Sequence, residues 1–146
     1  MNKRYYEHTL STTREFIEYL RKVQQTILLV GDISDIYVTN FNTMMGDPNF
    51  TVEELSAIAF GYNRLLEESS NLLLDLKEVT TATGLSMTDK ERLDIINRIY
   101  GEVLEYKNLT WYYTRKNIGI SYLRSKKKGD SQRVLALYGT HEQRYW

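Results

Sequence analysis

The residues with the most obvious chemical use lie together in WYYTRKNIGISYLRSKKKG, positions 111–129, where aromatic rings alternate with cations. Arg115, Lys116, Arg124, Lys126, Lys127 and Lys128 can neutralise phosphates while Tyr112, Tyr113 or Tyr122 stack on bases, the two devices of a single-stranded nucleic-acid groove. The same residue types also have a plainer use. Trp111 and the tyrosines are large side chains with polar tips, suited to half-burial at the surface of a helix bundle. Lysines at the C-terminal end of a helix are favoured by its dipole. No helix-turn-helix or other DNA-reading module surrounds the stretch. On the plainer reading, Trp111 and at least one of Tyr112 and Tyr113 pack against other helices. The six cations are then the candidate interaction patch, with Arg115, Lys116 and Lys126–Lys128 facing water.

No other segment offers a chemical device. With no cysteine there is no thiolate nucleophile, disulfide or thiolate metal site. His8 and His141 stand near opposite ends of the chain, and no E-x-x-H pair is present for a di-iron bundle. DISD at 32–35 has the alternating oxygens of a calcium loop but lacks its glycine and terminal glutamate. The many carboxylates fall on polar helix faces or in first turns, where solvation and capping account for them. There is no P-loop, no G-x-G-x-x-G and no G-x-S-x-G. The expectation is a protein that is not an enzyme and needs no cofactor, metal or small-molecule substrate.

The elements that position the basic stretch follow from apolar spacing. Phe16, Leu20, Val23, Ile27, Val30, Ile33, Tyr37, Phe41 and Met44 are separated by three or four residues, one stripe of a long helix over about 11–45. Gly31 weakens its middle, and GDPN at 46–49 ends it because Pro48 drives Asp47 out of the helical region. Thr51 and Glu54 form a capping box with Phe50 and Leu55 as its hydrophobic staple. Leu55, Ile58, Tyr62, Leu65, Ser69, Leu72, Leu76 and Val79 then alternate steps of three and four, a heptad seam that predicts a helix over 52–82 with Gly84 beyond its end. Thr88 and Glu91 repeat the capping box and open a third helix, over 89–117, with Gly119 as a weak point. KKKGDS makes a break, and Asp130 or Ser131 caps a short helix over 131–138 closed by Gly139. The predicted fold is all-α, an elongated bundle of three long helices plus a short C-terminal one, forming a single helical domain over 1–146.

Charge is unevenly spread along the chain. Residues 47–106 carry five basic and twelve acidic side chains, a net of −7, and residues 107–146 carry nine basic and two acidic, a net of +7. Such asymmetry implies a charged partner or complementary packed helices. The opening MNKRYYEHTLSTTREFIEYL has no apolar run of signal-peptide length and no window reaches membrane-spanning length, so the sequence predicts a soluble chain without an export signal.

Several separated blocks carry a family likeness: RKVQQTILLVGDISDIY (21–37), DPNFTVEELSAIAFGYNRLLEESS (47–70), LSMTDKERLDIINRIY (85–100), YYTRKNIGISYLRSKKKGDSQRVLALYG (112–139) and the ending RYW. Over about residues 21–146 the sequence resembles the TraI-type conjugal transfer proteins of Bacteroides conjugative transposons, a family likened to the TrbJ proteins of plasmid conjugation. The resemblance implies a non-enzymatic structural or assembly component of a conjugative type IV secretion (mating-pair formation) apparatus, located in the periplasm or cell envelope. Its partners would be other proteins of that apparatus, with self-association through helix faces, and nucleic acid is not the expected partner. Members of that family begin with an export signal and a further helical segment, where this sequence has MNKRYYEHTLS. The alternative function is a cytoplasmic nucleic-acid-binding accessory of DNA mobilisation using the basic 107–133 region.

Overall fold

The computed structural model describes residues 3–81 and 87–139, with side chains from residue 14 onward. Four helices follow in order: α1 (Lys3–Met45), α2 (Val52–Thr81), α3 (Asp89–Lys128) and α4 (Ser131–Tyr138). No strand occurs among the described residues. At 1.5 Å per residue α1, α2 and α3 are roughly 65, 45 and 60 Å long, so the bundle is elongated.

Local signals set the helix starts. The Thr51 backbone N–H donates to Glu54 Oε1 at 3.0 Å while Glu54 N–H donates to Thr51 Oγ1 at 3.1 Å. Thr88 and Glu91 form the same reciprocal pair at α3. Gly129 ends α3 in the left-handed region, φ 76°, where a residue without Cβ is unstrained. Asp130 stands at the N-cap of α4 without a side-chain capping bond and instead pairs with Arg133 at 2.9 Å. The expected Gly84 stop lies outside the described residues.

The helices run up, down and up. Asp32 of α1 meets Lys107 of α3 at 3.2 Å. Leu29, Val30 and Ile33 pack with Ile96, Ile99 and Val103 at one end of the bundle. Met44 packs with Ile118 at the other. Positions that rise together along both helices make α1 and α3 parallel, with α2 antiparallel to them. Leu76 joins the first cluster, and Ile58 and Tyr62 join the second with Phe50, Val134 and Tyr138.

The α2 seam faces inward as its spacing requires: Ile58, Tyr62, Ser69 and Leu76 are buried, and the alternate members Leu55, Leu65, Leu72 and Val79 are half-buried. The α1 stripe needs correction. Phe16 is 60% exposed and Leu20 and Ile27 also face outward, while Thr26, Leu29, Ile36 and Asn40 lie inside. Nine residues stepping by 3.5 on average drift about 20° per heptad on a straight helix. A stripe centred on the core at Met44 has rotated away from it by Phe16. Helix α3 is longer than the expected 89–117, passing through Gly119 to Lys128. Its second half buries Thr110, Thr114, Asn117, Ser121 and Ser125, a polar stripe at helical spacing.

Candidate functional site

The α1–α2 turn and the end of α3 form a buried polar clasp. After Met45 the chain tightens, with Gly46 N–H donating to Thr43 O and Asp47 N–H to Met44 O. Asp47 and Asn49 flank Pro48 and are both buried. Asp47 Oδ1 accepts from Asn49 N–H at 2.9 Å. Its Oδ2 accepts from Ser121 Oγ of α3 and, at 2.7 Å, from the Tyr138 hydroxyl of α4. The Asn49 amide donates to Ser125 Oγ at 2.6 Å and to Ser121, and its Oδ1 accepts from Lys128 Nζ at 3.0 Å. A buried carboxylate is tolerated because donors from three elements surround it. Burial and the adjacent Asp47 carboxylate push the Tyr138 phenol well above its ordinary range.

Arg124 closes the outer side of the clasp. It donates to Asn49 O at 2.7 Å and forms a two-pronged pair with Glu54. The Arg124 hydrogen bonds, reinforced by the Thr51 backbone N–H, hold the Glu54 carboxyl down at about 2. A carboxylate so strongly ionised and already engaged is a poor general base.

The structure therefore divides the six candidate cations. Arg124 and Lys128 turn into the clasp with Ser121 and Ser125, on one face at spacings of three and four. Arg115, Lys116, Lys126 and Lys127 are exposed on the outer side of α3. Between them lie Tyr112, Ile120 and Leu123, all exposed, and no acidic residue occurs from 106 to 129. The outer face of this half-helix is thus cationic and apolar at once.

The aromatic residues divide similarly. Tyr113 is half-buried, meets the Tyr62 ring edge-on at 5.0 Å and donates to Ile58 O at 3.1 Å. Burial raises its phenol. The contact depends on Gly61, where a Cβ would collide with the Tyr113 hydroxyl. Tyr122 packs against the turn-end core and Trp111 is half-buried. Tyr112 is 55% exposed, with Lys116 Nζ 6.0 Å from its ring centre. Beside it an open groove of about 540 Å³ runs between α2 and α3, lined by Leu65, Tyr106 and Leu109 and edged by Arg64, Glu68 and Lys116.

No group of three or more histidine, aspartate or glutamate side chains suited to a metal occurs among the described residues, and no helix among them is long and apolar enough to cross a membrane. The side chains of His8 and His141 lie outside the described residues. Sequence reasoning missed Asp47, Asn49, Ser121 and Ser125 as a unit. The signal available was the repeat of small polar residues at 110, 114, 117, 121 and 125, which marks a buried helix face as regularly as an apolar stripe does.

No family model, no curated protein and no solved structure matches the chain.

Proposed function

We propose that the protein is a non-enzymatic assembly component of a conjugative type IV secretion apparatus, TrbJ-like, working in the cell envelope by protein contact. The reading is supported by the five sequence blocks that resemble the TraI-type conjugal transfer proteins, and it is consistent with an elongated helical bundle. The observation that carries the mode of action is the outer face of α3. Four exposed cations with interspersed apolar side chains, on a helix held at both ends by caps and clasp, make a rigid surface complementary to an acidic protein. Of their two neighbours, Arg124 is charge-paired with Glu54 within the chain, whereas Lys128, itself exposed, donates only to the neutral Asn49 amide and keeps its charge at the edge of this face.

Deleting the coding sequence from a conjugative element that carries it separates this reading from its rival. Loss of transfer with nicking at the transfer origin intact is the expected result. Loss of nicking, with salt-sensitive binding of the purified protein to DNA, would instead favour the nucleic-acid accessory.

A further inference from the structure

Helix α1 carries a second seam, on the side opposite the core. Leu20, Gln24, Ile27, Gly31, Ser34 and Val38 alternate steps of four and three. At 100° per residue they fall within about 80° of one another. None is charged, and Leu20, Ile27 and Val38 are 44%, 52% and 55% exposed. Phe16 and Met45 prolong the face and Ile17 and Leu28 flank it, so seven of the fifteen large apolar side chains exposed among the described residues stand on this side of one helix. Seven such side chains, each about half exposed, amount to several hundred Å² of apolar surface. A monomer rarely leaves that much bare, and it approaches the roughly 800 Å² per partner of a standard interface.

We propose that this face binds a second copy of the chain, with the two α1 helices antiparallel about a two-fold axis level with residue 29. In that register Leu20 faces the partner's Val38, Gln24 faces the partner's Ser34, and Ile27 faces the partner's Gly31. Each contact occurs twice, as a two-fold interface requires. Size and polarity match at every layer. A Cβ at Gly31 would meet nothing within 4 Å in its own chain, so the hollow there is free to receive the partner's Ile27 as a knob enters a hole. Gln24 and Ser34 can hydrogen-bond across the seam.

Charge fixes the direction. Arg21, Leu28 and Asp35 line one flank at seven-residue intervals. Arg21 and Asp35 are exposed and neither makes an ion pair among the described residues. Antiparallel pairing sets Arg21 against the partner's Asp35 on both sides of the axis, with Leu28 meeting the partner's Leu28 between them. Parallel pairing would carry Arg21 and Asp35 of one copy to the side of the seam away from those of the partner, leaving both charges unmatched, and would oppose one Gly31 hollow to the other.

Sedimentation equilibrium of the full chain between about 1 and 100 µM should show a dimer, and Ile27→Glu with Val38→Glu should leave a monomer of unchanged helix content. Arg21→Glu should weaken the dimer about tenfold, and adding Asp35→Arg should restore it. Because the chain has no cysteine, mixing a Gln24→Cys variant with a Ser34→Cys variant should give the mixed disulfide in preference to either homodimeric one. A wild-type chain that stays monomeric over the whole range overturns the proposal. So does monomeric partition onto zwitterionic lipid vesicles, which would give the face to a membrane surface. Homodimeric disulfides alone, with no rescue by the charge swap, would overturn the antiparallel arrangement.

Discussion

Arg124 and Glu54 meet through two parallel hydrogen bonds of 2.9 and 2.6 Å although 70 residues separate them in sequence. The same Glu54 carboxylate caps α2 by accepting from the Thr51 N–H. One acidic side chain therefore starts α2 and ties it to the last turns of α3. Its folded pKa of about 2 lies below the ordinary 4.5, so its contribution to stability is complete above pH 4.5 and is lost as the pH falls toward 2. Melting temperature followed from pH 7 to pH 2 should drop across that window, and Glu54→Gln should flatten the drop. Equal acid slopes in both proteins would show that the pair contributes nothing.

Asp47 is the hub of the clasp. Asp47→Ala strands the hydroxyls of Ser121 and Tyr138 and the Asn49 N–H, and should cost on the order of 3 kcal/mol in urea unfolding. Glu53→Ala, at an exposed first-turn position nearby, should change stability by less than about 0.5 kcal/mol. Equal effects at the two sites would mean that the buried carboxylate does not hold the turn.

Glycines in equivalent helical settings should respond in opposite directions. Gly101 is exposed and a Cβ there meets nothing, so Gly101→Ala should stabilise by about 0.5–1 kcal/mol through helix propensity. Gly61→Ala drives a methyl into the Tyr113 ring and should destabilise by roughly 1–3 kcal/mol. Thermal melts of the two variants against wild type check the sign of each.

Alkaline stability should follow the buried tyrosines. Burial raises the Tyr62 phenol from 10 to about 12, so the neutral form is retained longer in the folded chain than in the unfolded one. Its stabilising effect is complete below pH 10 and disappears as the pH rises through 12. Tyr62→Phe loses the 2.6 Å bond to Thr114 and lowers stability at neutral pH, but its melting temperature should fall less steeply between pH 10 and 12. Parallel curves would contradict the assignment.

Much of the fold was legible in the sequence because its signals are local. Two Thr-x-x-Glu boxes, a proline after Asp47 and a seam without a miss from Leu55 to Val79 place α2 and the start of α3 to within a residue or two. The far half of α3 was not legible, since its inner face is built from Thr110, Thr114, Asn117, Ser121 and Ser125, and hydrophobic periodicity ends where polar burial begins. Thr110, Thr114 and Asn117 satisfy themselves on carbonyls one turn back, a bond invisible in composition. The basic stretch misled for a related reason. Charge is visible in sequence, but whether Arg124 meets Glu54 or water depends on a contact 70 residues away.

The most direct test of the central claim uses the exposed cations alone. Lys116→Gln, Lys126→Gln and Lys127→Gln, combined in one chain, touch none of the clasp and should leave the melting temperature within about 2 °C of wild type. This variant, supplied in place of wild type to a conjugative element lacking the gene, should lower transfer frequency by about tenfold or more, as loss of an interface contact worth about 1.4 kcal/mol would, while DNA nicking is unchanged. Full transfer by a folded triple variant would contradict a role for this face in assembling the apparatus.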